Sequence, residues 1–416
     1  MLANFEATLP ADQSDSGSEL LVAVQKTNIE LLKLYQLAEQ SSLLAKLNGY
    51  KMDATEPSDC IDQLKFSVDF VRRLSTEAVT RCSALSGGFA VAGLRRALQT
   101  FFKNYMSKVA SKLPLFKTAS EIAPDERWET LQTMLVLLQI SGMLFTSVQQ
   151  LDTEMQLSVA RLRQIFGEKL ETPASPTSDA VGKIFTELAV QDEAIASSCR
   201  MLLQKFPDEF SPVLSGIQNT LVSFNSQIHK LAYDCVLNPI LSSINSVPKL
   251  EIWSSQHLGE SLVADLPQFG LTPQEYITNV GQHLMTFAHH LEPFLFEGDG
   301  SFASALKHYH LPYTNKIESL EDRQAGRQWL ESVAHSIMHQ YVEAILEIRN
   351  PTPSAIKHIL VDIGYLCNIV EDLGVSPTED LLSVRDLLQV EPSSLDVISQ
   401  QHSTMIVSAV KNMRKL

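Results

Sequence analysis

Apolar residues recur every three or four positions along most of the chain, a spacing typical of amphipathic helices. Two of the clearest faces are Ile277, Val280, Leu284, Phe287 and Leu291, and Ile356, Ile359, Leu360, Ile363, Val370 and Leu373. No segment shows the sustained alternation of apolar and polar residues that half-buried strands require. The pattern therefore predicts an all-α fold, with helices paired through short loops.

Glycine and proline signals divide this pattern into individual helices. The predicted helices in the first part of the chain cover residues 18–47, 58–85, 89–113, about 124–168, 179–205 and 207–244. Two later helix starts are explicit, Thr272-Pro-Gln-Glu275 and Ser376-Pro-Thr-Glu379. Each offers a hydroxyl N-cap, proline at the first helical position and glutamate at the third, so a helix is expected to begin at Pro273 and at Pro377.

Composition along the chain predicts a succession of regions. The segment 172–178 is rich in proline, serine and threonine and reads as a linker. The predicted order is a polar N-terminal segment (1–17), a helical bundle (18–171), the linker (172–178), a helical pair (179–244), a loop-rich connection (245–271) and a C-terminal helical bundle (272–416).

Charge and composition exclude several classes of protein. The 416 residues include 33 basic and 48 acidic side chains, a net charge of −15, which argues against a nucleic-acid-binding protein. The 17 glycines are about 4% of the chain, below the usual share of about 7%, so glycine-rich nucleotide-binding loops are not expected. The five widely spaced cysteines suit a reducing cytosolic compartment. The uncharged stretch 130–151 is long enough to span a membrane, but four glutamines interrupt it and favour a buried core helix.

Few residues offer a candidate for catalysis or cofactor binding. His335 and His339 lie four apart on a predicted helix, at metal-ligand spacing, and Glu331 could add a carboxylate. Two exposed histidines on one helix face are the simpler explanation. The spacing of Gly88 and Gly93 matches half a phosphate-binding loop, but the lysine and hydroxyl residue of that motif are missing. The sequence therefore predicts a protein that is not an enzyme and has no cofactor.

One stretch departs from the acidic average. Residues 78–120 contain no aspartate or glutamate. The candidate face for anionic lipid or an acidic partner consists of Arg95, Arg96, Lys103, Lys108 and Lys112. The alternative is that the aromatic arc of the same helix is core and the cations form an ordinary solvated face, which is the more frequent arrangement.

Longer stretches resemble a known family. Residues 253–282 and Leu291-Glu-Pro-Phe294 are similar to the C-terminal region of subunit seven of the conserved oligomeric Golgi complex. Further matching positions are Trp329-Leu330, Tyr341, Ala344-Ile-Leu346, Asp362-Ile363 and Glu371-Asp-Leu-Gly-Val375, with looser matches at Leu231-Ala-Tyr-Asp234 and 78–105. Family members carry a substantial region before this part, and residues 296–325 follow the family weakly and are expected to form a variable loop.

The family resemblance implies a function that composition and residue spacing do not indicate by themselves. It implies an elongated array of antiparallel helical bundles, peripheral on the cytosolic face of the Golgi membrane, that tethers vesicles in retrograde intra-Golgi transport and so supports protein glycosylation. Implied partners are the other subunits of the complex, nearest five, six and eight, with SNARE proteins and Golgi small GTPases. Two alternatives stay open: a helical scaffold of a related tether or adaptor at another membrane, and a metal-dependent helical enzyme that uses His335 and His339.

Overall fold

A computed structural model describes the chain over residues 14–120, 127–167, 180–208, 211–253, 271–296, 300–314, 322–391 and 395–415. Within these ranges the regular structure is helical and no β-strand occurs. The all-α prediction is confirmed. The predicted linker 172–178 lies outside the described residues, as do residues 1–13 of the polar N-terminal segment and most of the 245–271 connection.

The helices follow one another with short connections. In the first part they are α1 (Ser14–Gly49), α2 (Pro57–Ser86), α3 (Val91–Ala110), α4 (Leu113–Ser120), α5 (Arg127–Gly167), α6 (Ala180–Gln191), α7 (Glu193–Lys205) and α8 (Ser215–Ile244). Two 3-10 turns follow, at Val247–Lys249 and Glu251–Trp253. The second part contains α9 (Glu275–Phe296), α10 (Ser301–Lys307), α11 (Asp322–Leu346), α12 (Pro353–Asp372), α13 (Glu379–Gln389), α14 (Leu395–Ile398), a 3-10 turn at Ser399–Gln401 and α15 (Thr404–Arg414).

Several predicted boundaries are correct and several are wrong. The end of α2 is as expected, because Gly87 adopts a left-handed conformation (φ 57°) that closes the helix. Pro114 does not end the preceding helix but lies in the first turn of α4, where a missing N–H costs nothing. The predicted helix 179–205 is interrupted at Asp192, whose carboxylate accepts the backbone N–H groups of Ala194 and Ile195 and caps α7.

The helix predicted from residue 207 begins at Ser215 instead. Side chains from earlier helices bond the backbone groups that a helical turn would otherwise satisfy. Arg163 donates to the carbonyl of Phe206 and Arg95 to that of Val213, both at 2.8 Å, while Asp152 accepts the N–H of Leu214 at 2.6 Å. These bonds hold the segment before α8 in a non-helical path.

The two explicit helix starts are each displaced by two residues. Helix α9 begins at Glu275 rather than Pro273, because the N–H of Gln274 is accepted by Asp362 Oδ1 of α12 at 2.8 Å. Helix α13 begins at Glu379, with Thr378 at the N-cap position and no side-chain cap. A carboxylate from another helix thus replaces the predicted local cap of α9.

Backbone contacts divide the chain into two compact units, each made of two separated segments. Unit 1 comprises Met1–Leu115 and Met143–Phe224, and unit 2 comprises Phe116–Gly142 and Asn225–Leu416. Helices α5 and α8 each supply one part to each unit. The predicted domains follow one another along the sequence instead, and their boundaries stay a prediction.

The core of unit 1 forms around α3. Its apolar arc is buried, with Leu98, Phe101 and Tyr105 fully inaccessible. The Tyr105 hydroxyl lies 2.8 Å from the Ser67 hydroxyl of α2, which satisfies both polar groups inside the core. The alternative that the aromatic arc is packing is therefore correct.

The core of unit 2 forms where α9 packs against α11 and α12. Phe287, Trp329 and Tyr341 are fully buried there. The predicted α9 face from Ile277 to Leu291 is buried along its whole length, at 0 to 1 % exposure.

Helix α10 lies inside unit 2, within the region expected to be a variable loop. Its Phe302, Ala303 and Ala305 are buried, so that expectation is wrong for α10. Asn225 of α8 links two neighbours of this helix: it accepts from Ser141 of α5 at 3.0 Å and donates to the carbonyl of Ala305 at 2.8 Å.

Among the described helices, the stretch Arg127–Phe166 is long and apolar enough to cross a membrane. About two thirds of its most apolar window is buried inside the protein, with Leu135, Leu138 and Val148 fully inaccessible. This burial agrees with the interpretation of residues 130–151 as a core helix.

Candidate interaction surface

The five residues of the predicted basic face do not share one environment. Arg95 does not lie on the surface, Lys108 and Lys112 are half-buried, and Arg96 and Lys103 are exposed. All except Lys112 lie on α3, and Lys112 follows its C-terminus. The position of a cation on the helical wheel therefore does not determine whether its side chain is exposed.

The sequence predicts Arg95 on the basic face, but the structure buries its side chain, so that prediction is wrong for this residue. Its side chain is buried against Phe206 and Val213: Nε donates to the carbonyl of Val213, and the guanidinium lies 5.0 Å from the centre of the Phe206 ring. Burial lowers the pKa of Arg95, with a smaller contribution from neighbouring Arg96. This arginine stabilises the interior of unit 1.

Lys108 and Lys112 bond the backbone of α1 and of the loop that follows it. Lys108 Nζ donates to the carbonyl of Leu47 in the last turn of α1, and Lys112 Nζ donates to the carbonyl of Ala54, each at 3.0 Å. The last carbonyls of a helix have no partner within it and carry the negative end of the dipole, so a cation there is stabilising. Lys108 thus has a structural role at the end of α1.

Arg96 and Lys103 remain as the exposed part of the face. Arg96 donates to Gln36 Oε1 at 3.2 Å, and Lys103 lies beside exposed Asn104. The absence of acids in residues 78–120 also overstates the local charge, because Arg81 pairs with Glu39 of α1 at 2.6 Å. Binding of anionic lipid or an acidic partner by this reduced face stays a prediction.

The two lysines of the face should respond differently to substitution. Lys108→Ala should lower the free energy of unfolding by about 1 kcal/mol, since it removes a charged donor from the end of α1. Lys103→Ala should change it by less than about 0.5 kcal/mol, as is usual for exposed surface positions. Urea unfolding followed by circular dichroism measures both. Equal losses in the two variants would contradict the structural role of Lys108.

The histidine pair does not assemble a metal site. Both nitrogens of His335 lie near backbone carbonyls, Nδ1 at 3.4 Å from Tyr313 O and Nε2 at 3.2 Å from Ser376 O. His339 lies 3.5 Å from Glu343. Across the ranges that the structure describes, no group of three or more histidine, cysteine, aspartate or glutamate side chains is arranged to hold a metal ion.

The cysteines offer no activated nucleophile. All five are buried free thiols. Burial raises the pKa of Cys82 and of Cys199 to about 11, so both are protonated at neutral pH.

Sequence reasoning missed a buried polar cluster around Asp362. This carboxyl is fully buried, accepts the Tyr276 hydroxyl at 2.6 Å, and through Tyr276 reaches the Tyr341 hydroxyl 3.0 Å further on. Burial raises the pKa of Asp362 to about 6, although the bonds from Tyr276 and the Gln274 N–H act in the opposite direction. The cluster joins the start of α9 to α11 and α12.

A second missed residue is His229 of α8. Its ring is buried and stacks parallel to Tyr309 with centroids 4.3 Å apart, and Trp329 lies 5.9 Å away. Burial lowers the pKa of His229 to about 3, so the imidazole is neutral and packs as an aromatic side chain. One histidine within a long apolar helix gives no sequence signal that separates packing from chemistry.

Taken together, these sites define an all-α protein whose buried polar groups hold helices together and whose exposed charges lie on helix faces. The family model for Golgi complex component 7 (COG7) matches residues 4–415, and the chain belongs to this family. The match covers nearly the whole chain, including regions where the sequence resemblance was loose.

Individual relatives agree with the family match. The chain is 29% identical to conserved oligomeric Golgi complex subunit 7 of Bos taurus over 418 residues, covering 92% of this chain and 54% of that protein. It is 24% identical to the Drosophila melanogaster subunit 7, over 93% of this chain and 51% of that protein, and 22% identical to the Arabidopsis thaliana subunit 7, over 80% and 43%. The chain thus spans about half the length of the curated relatives it matches.

Proposed function

We propose that the protein is a non-catalytic subunit of a Golgi vesicle-tethering complex that supports retrograde intra-Golgi transport and, indirectly, glycosylation. The observation that carries the proposal is the family match over residues 4–415. The all-α fold is compatible with a protein that acts through helix surfaces. In this role the chain lies on the cytosolic face of the Golgi membrane without spanning it.

The proposal extends to partners by analogy with the relatives, which are named as subunits of an oligomeric Golgi complex. The chain would assemble with other subunits of that complex, nearest five, six and eight, and contact SNARE proteins and Golgi small GTPases. Catalysis is not part of the proposal, because the relatives are named as subunits of a Golgi complex.

Localisation tests the membrane assignment. A tagged chain, imaged in cells of its source organism, should coincide with a Golgi marker and should disperse into the cytosol when another subunit of the complex is depleted. A matched helical protein of the cytosol serves as the control for expression level. Persistent staining of a different membrane would support the adaptor alternative and contradict the proposal.

A further inference from the structure

A groove along α2 shares no lining residue with the predicted basic face. It has a volume of about 870 Å³, within the range of ligand-binding clefts. Its lining includes three aromatic and three arginine side chains, namely Tyr50, Phe66, Phe70, Arg72, Arg73 and Arg81. All of these residues belong to unit 1.

The aromatic side of the groove exposes a large apolar side chain to solvent. Phe66 is 71 % exposed, although it lies on a well-formed helix. The Phe70 ring stacks against Tyr50 with centroids 4.5 Å apart and an interplanar angle of 25°. The stacked pair forms one side of the groove, and the exposed Phe66 ring lies on the same helix as Phe70. Aromatic and arginine side chains together are the residues most enriched at binding hot spots.

The charged end of the groove carries an excess of cations. Asp69 is paired with Arg72 at 2.9 Å. Glu77 is shared by three cations, since Arg81 lies at 3.6 Å, Lys46 at 3.9 Å and Arg73 at 4.0 Å from it.

The nearest of these cations already has another partner. Arg81 also pairs with buried Glu39 at 2.6 Å. Arg73 is left with the longest contact, and its side chain is 68 % exposed. In a chain of net charge −15, this end of the groove therefore offers an available guanidinium to a negative group.

From these observations we propose that the groove binds a short acidic segment of a partner protein. A phenylalanine and a leucine of the segment pack against Phe66 and Phe70, and one carboxylate pairs with Arg73. The inference rests on the proposed function, since a tether subunit works by binding other proteins. A bilayer surface fits less well, because Phe70 is half-buried and stacked on Tyr50, which leaves Phe66 as the one largely exposed aromatic side chain of the groove to enter lipid.

Fluorescence anisotropy with the purified full chain tests the proposal. The probe is a labelled peptide of about twelve residues that is rich in glutamate, with phenylalanine and leucine four positions apart. Two control peptides replace the glutamates by lysine, or the two apolar anchors by alanine. Only the acidic peptide with both anchors should bind well, at least about tenfold more tightly than either control.

Matched variants locate the binding site. Phe66→Ala and Arg73→Glu should each weaken binding of the acidic peptide about tenfold. The controls are Leu157→Ala, at an apolar position that is 69 % exposed in the same unit, and Arg200→Glu, whose side chain is 55 % exposed. Both should leave binding unchanged. Circular dichroism should show unaltered unfolding for all four variants, because each substituted side chain is largely exposed.

Three results would overturn the proposal. The first is no preference for the acidic peptide over the lysine peptide, and the second is equal binding by wild type and Phe66→Ala. The third is sedimentation with vesicles of phosphatidylcholine and phosphatidylserine that Arg73→Glu abolishes, without peptide binding, which would assign the groove to membrane. None of these results bears on membership of the Golgi complex, which co-purification with its subunits measures separately.

Discussion

Gly142→Ala should lower the free energy of unfolding by about 2 to 3 kcal/mol, the upper part of the range typical of overpacked cores. Gly142 lies in the middle of α5, where the start of α10 approaches its backbone directly. A methyl group at this position would overlap the carbonyl oxygen of Ser301 and lie 2.6 Å from its carbonyl carbon. Backbone atoms cannot rotate away as a side chain can, so α10 would have to move. Thermal and urea unfolding of the full chain measure the loss.

The neighbouring contacts make that movement costly. Asn225 holds α10 through the carbonyl of Ala305 and is itself held by Ser141, the residue next to Gly142. A displaced α10 therefore breaks buried hydrogen bonds as well as apolar packing.

A second helical glycine provides the matched control. Gly364 lies in the middle of α12, and a Cβ there would meet no other atom within 4 Å. Gly364→Ala should raise stability by up to about 1 kcal/mol, because alanine favours the helix and restricts the unfolded chain. A similar loss of stability in both variants would indicate a general effect of helical glycines and contradict the close approach of α10 to α5.

Asp362→Ala should also be strongly destabilising, by about 2 to 4 kcal/mol at neutral pH, since it leaves two part-buried donors without this acceptor. Those donors are the N–H of Gln274 and the hydroxyl of Tyr276. The substitution removes both hydrogen bonds by which this carboxylate joins α12 to the start of α9. Asp362→Asn keeps an acceptor oxygen of the same shape and should cost less.

The same carboxyl predicts a dependence of stability on pH. Its pKa rises from an ordinary 3.8 to about 6 on folding, so the folded protein holds the proton more tightly than the unfolded chain does. This contribution favours the folded state fully below about pH 4 and is lost as the pH rises through 6. Converted to free energy, this pKa shift corresponds to about 3 kcal/mol of stability.

The asparagine variant isolates this contribution from the other titrating groups. The stability of wild type relative to Asp362→Asn should fall between pH 4 and 6 and change little above that range. Urea unfolding of both proteins across that interval gives the difference directly. A difference that is constant with pH, or that grows with pH, would contradict the raised pKa.

Much of the helical architecture could be predicted from the sequence, because burial follows the periodicity of apolar residues. The faces that contain Leu98 and Phe287 are core, as the spacing indicates. Gly87 also ends α2 as expected, because its left-handed conformation is a local property that the residue type favours.

What could not be predicted depends on residues distant in sequence. The local cap pattern at Thr272 is complete, yet Asp362, roughly ninety residues later, takes the amide that it would serve. A helical wheel predicts that the charges of Arg95 and Lys108 both lie on the surface. One instead bonds the carbonyl of Val213 and the other that of Leu47, and neither contact leaves a signal in a single sequence.

The acid-free run 78–120 shows the same limit for charge. Within the sequence it is a basic island, but in space Glu39 of α1 neutralises Arg81. The groove on α2 was not predicted, because Phe66 and Phe70 follow the same spacing as core aromatic residues and only the fold shows that Phe66 is exposed.

Affinity purification of the tagged chain from cells of its source organism, followed by mass spectrometry, tests whether the chain is a subunit of a Golgi tethering complex. Other conserved oligomeric Golgi complex subunits should co-purify in constant proportion, with recovery retained in Gly364→Ala and reduced in the destabilised Gly142→Ala. Recovery of the chain without those subunits, or with the subunits of a different tether or adaptor, would contradict this assignment.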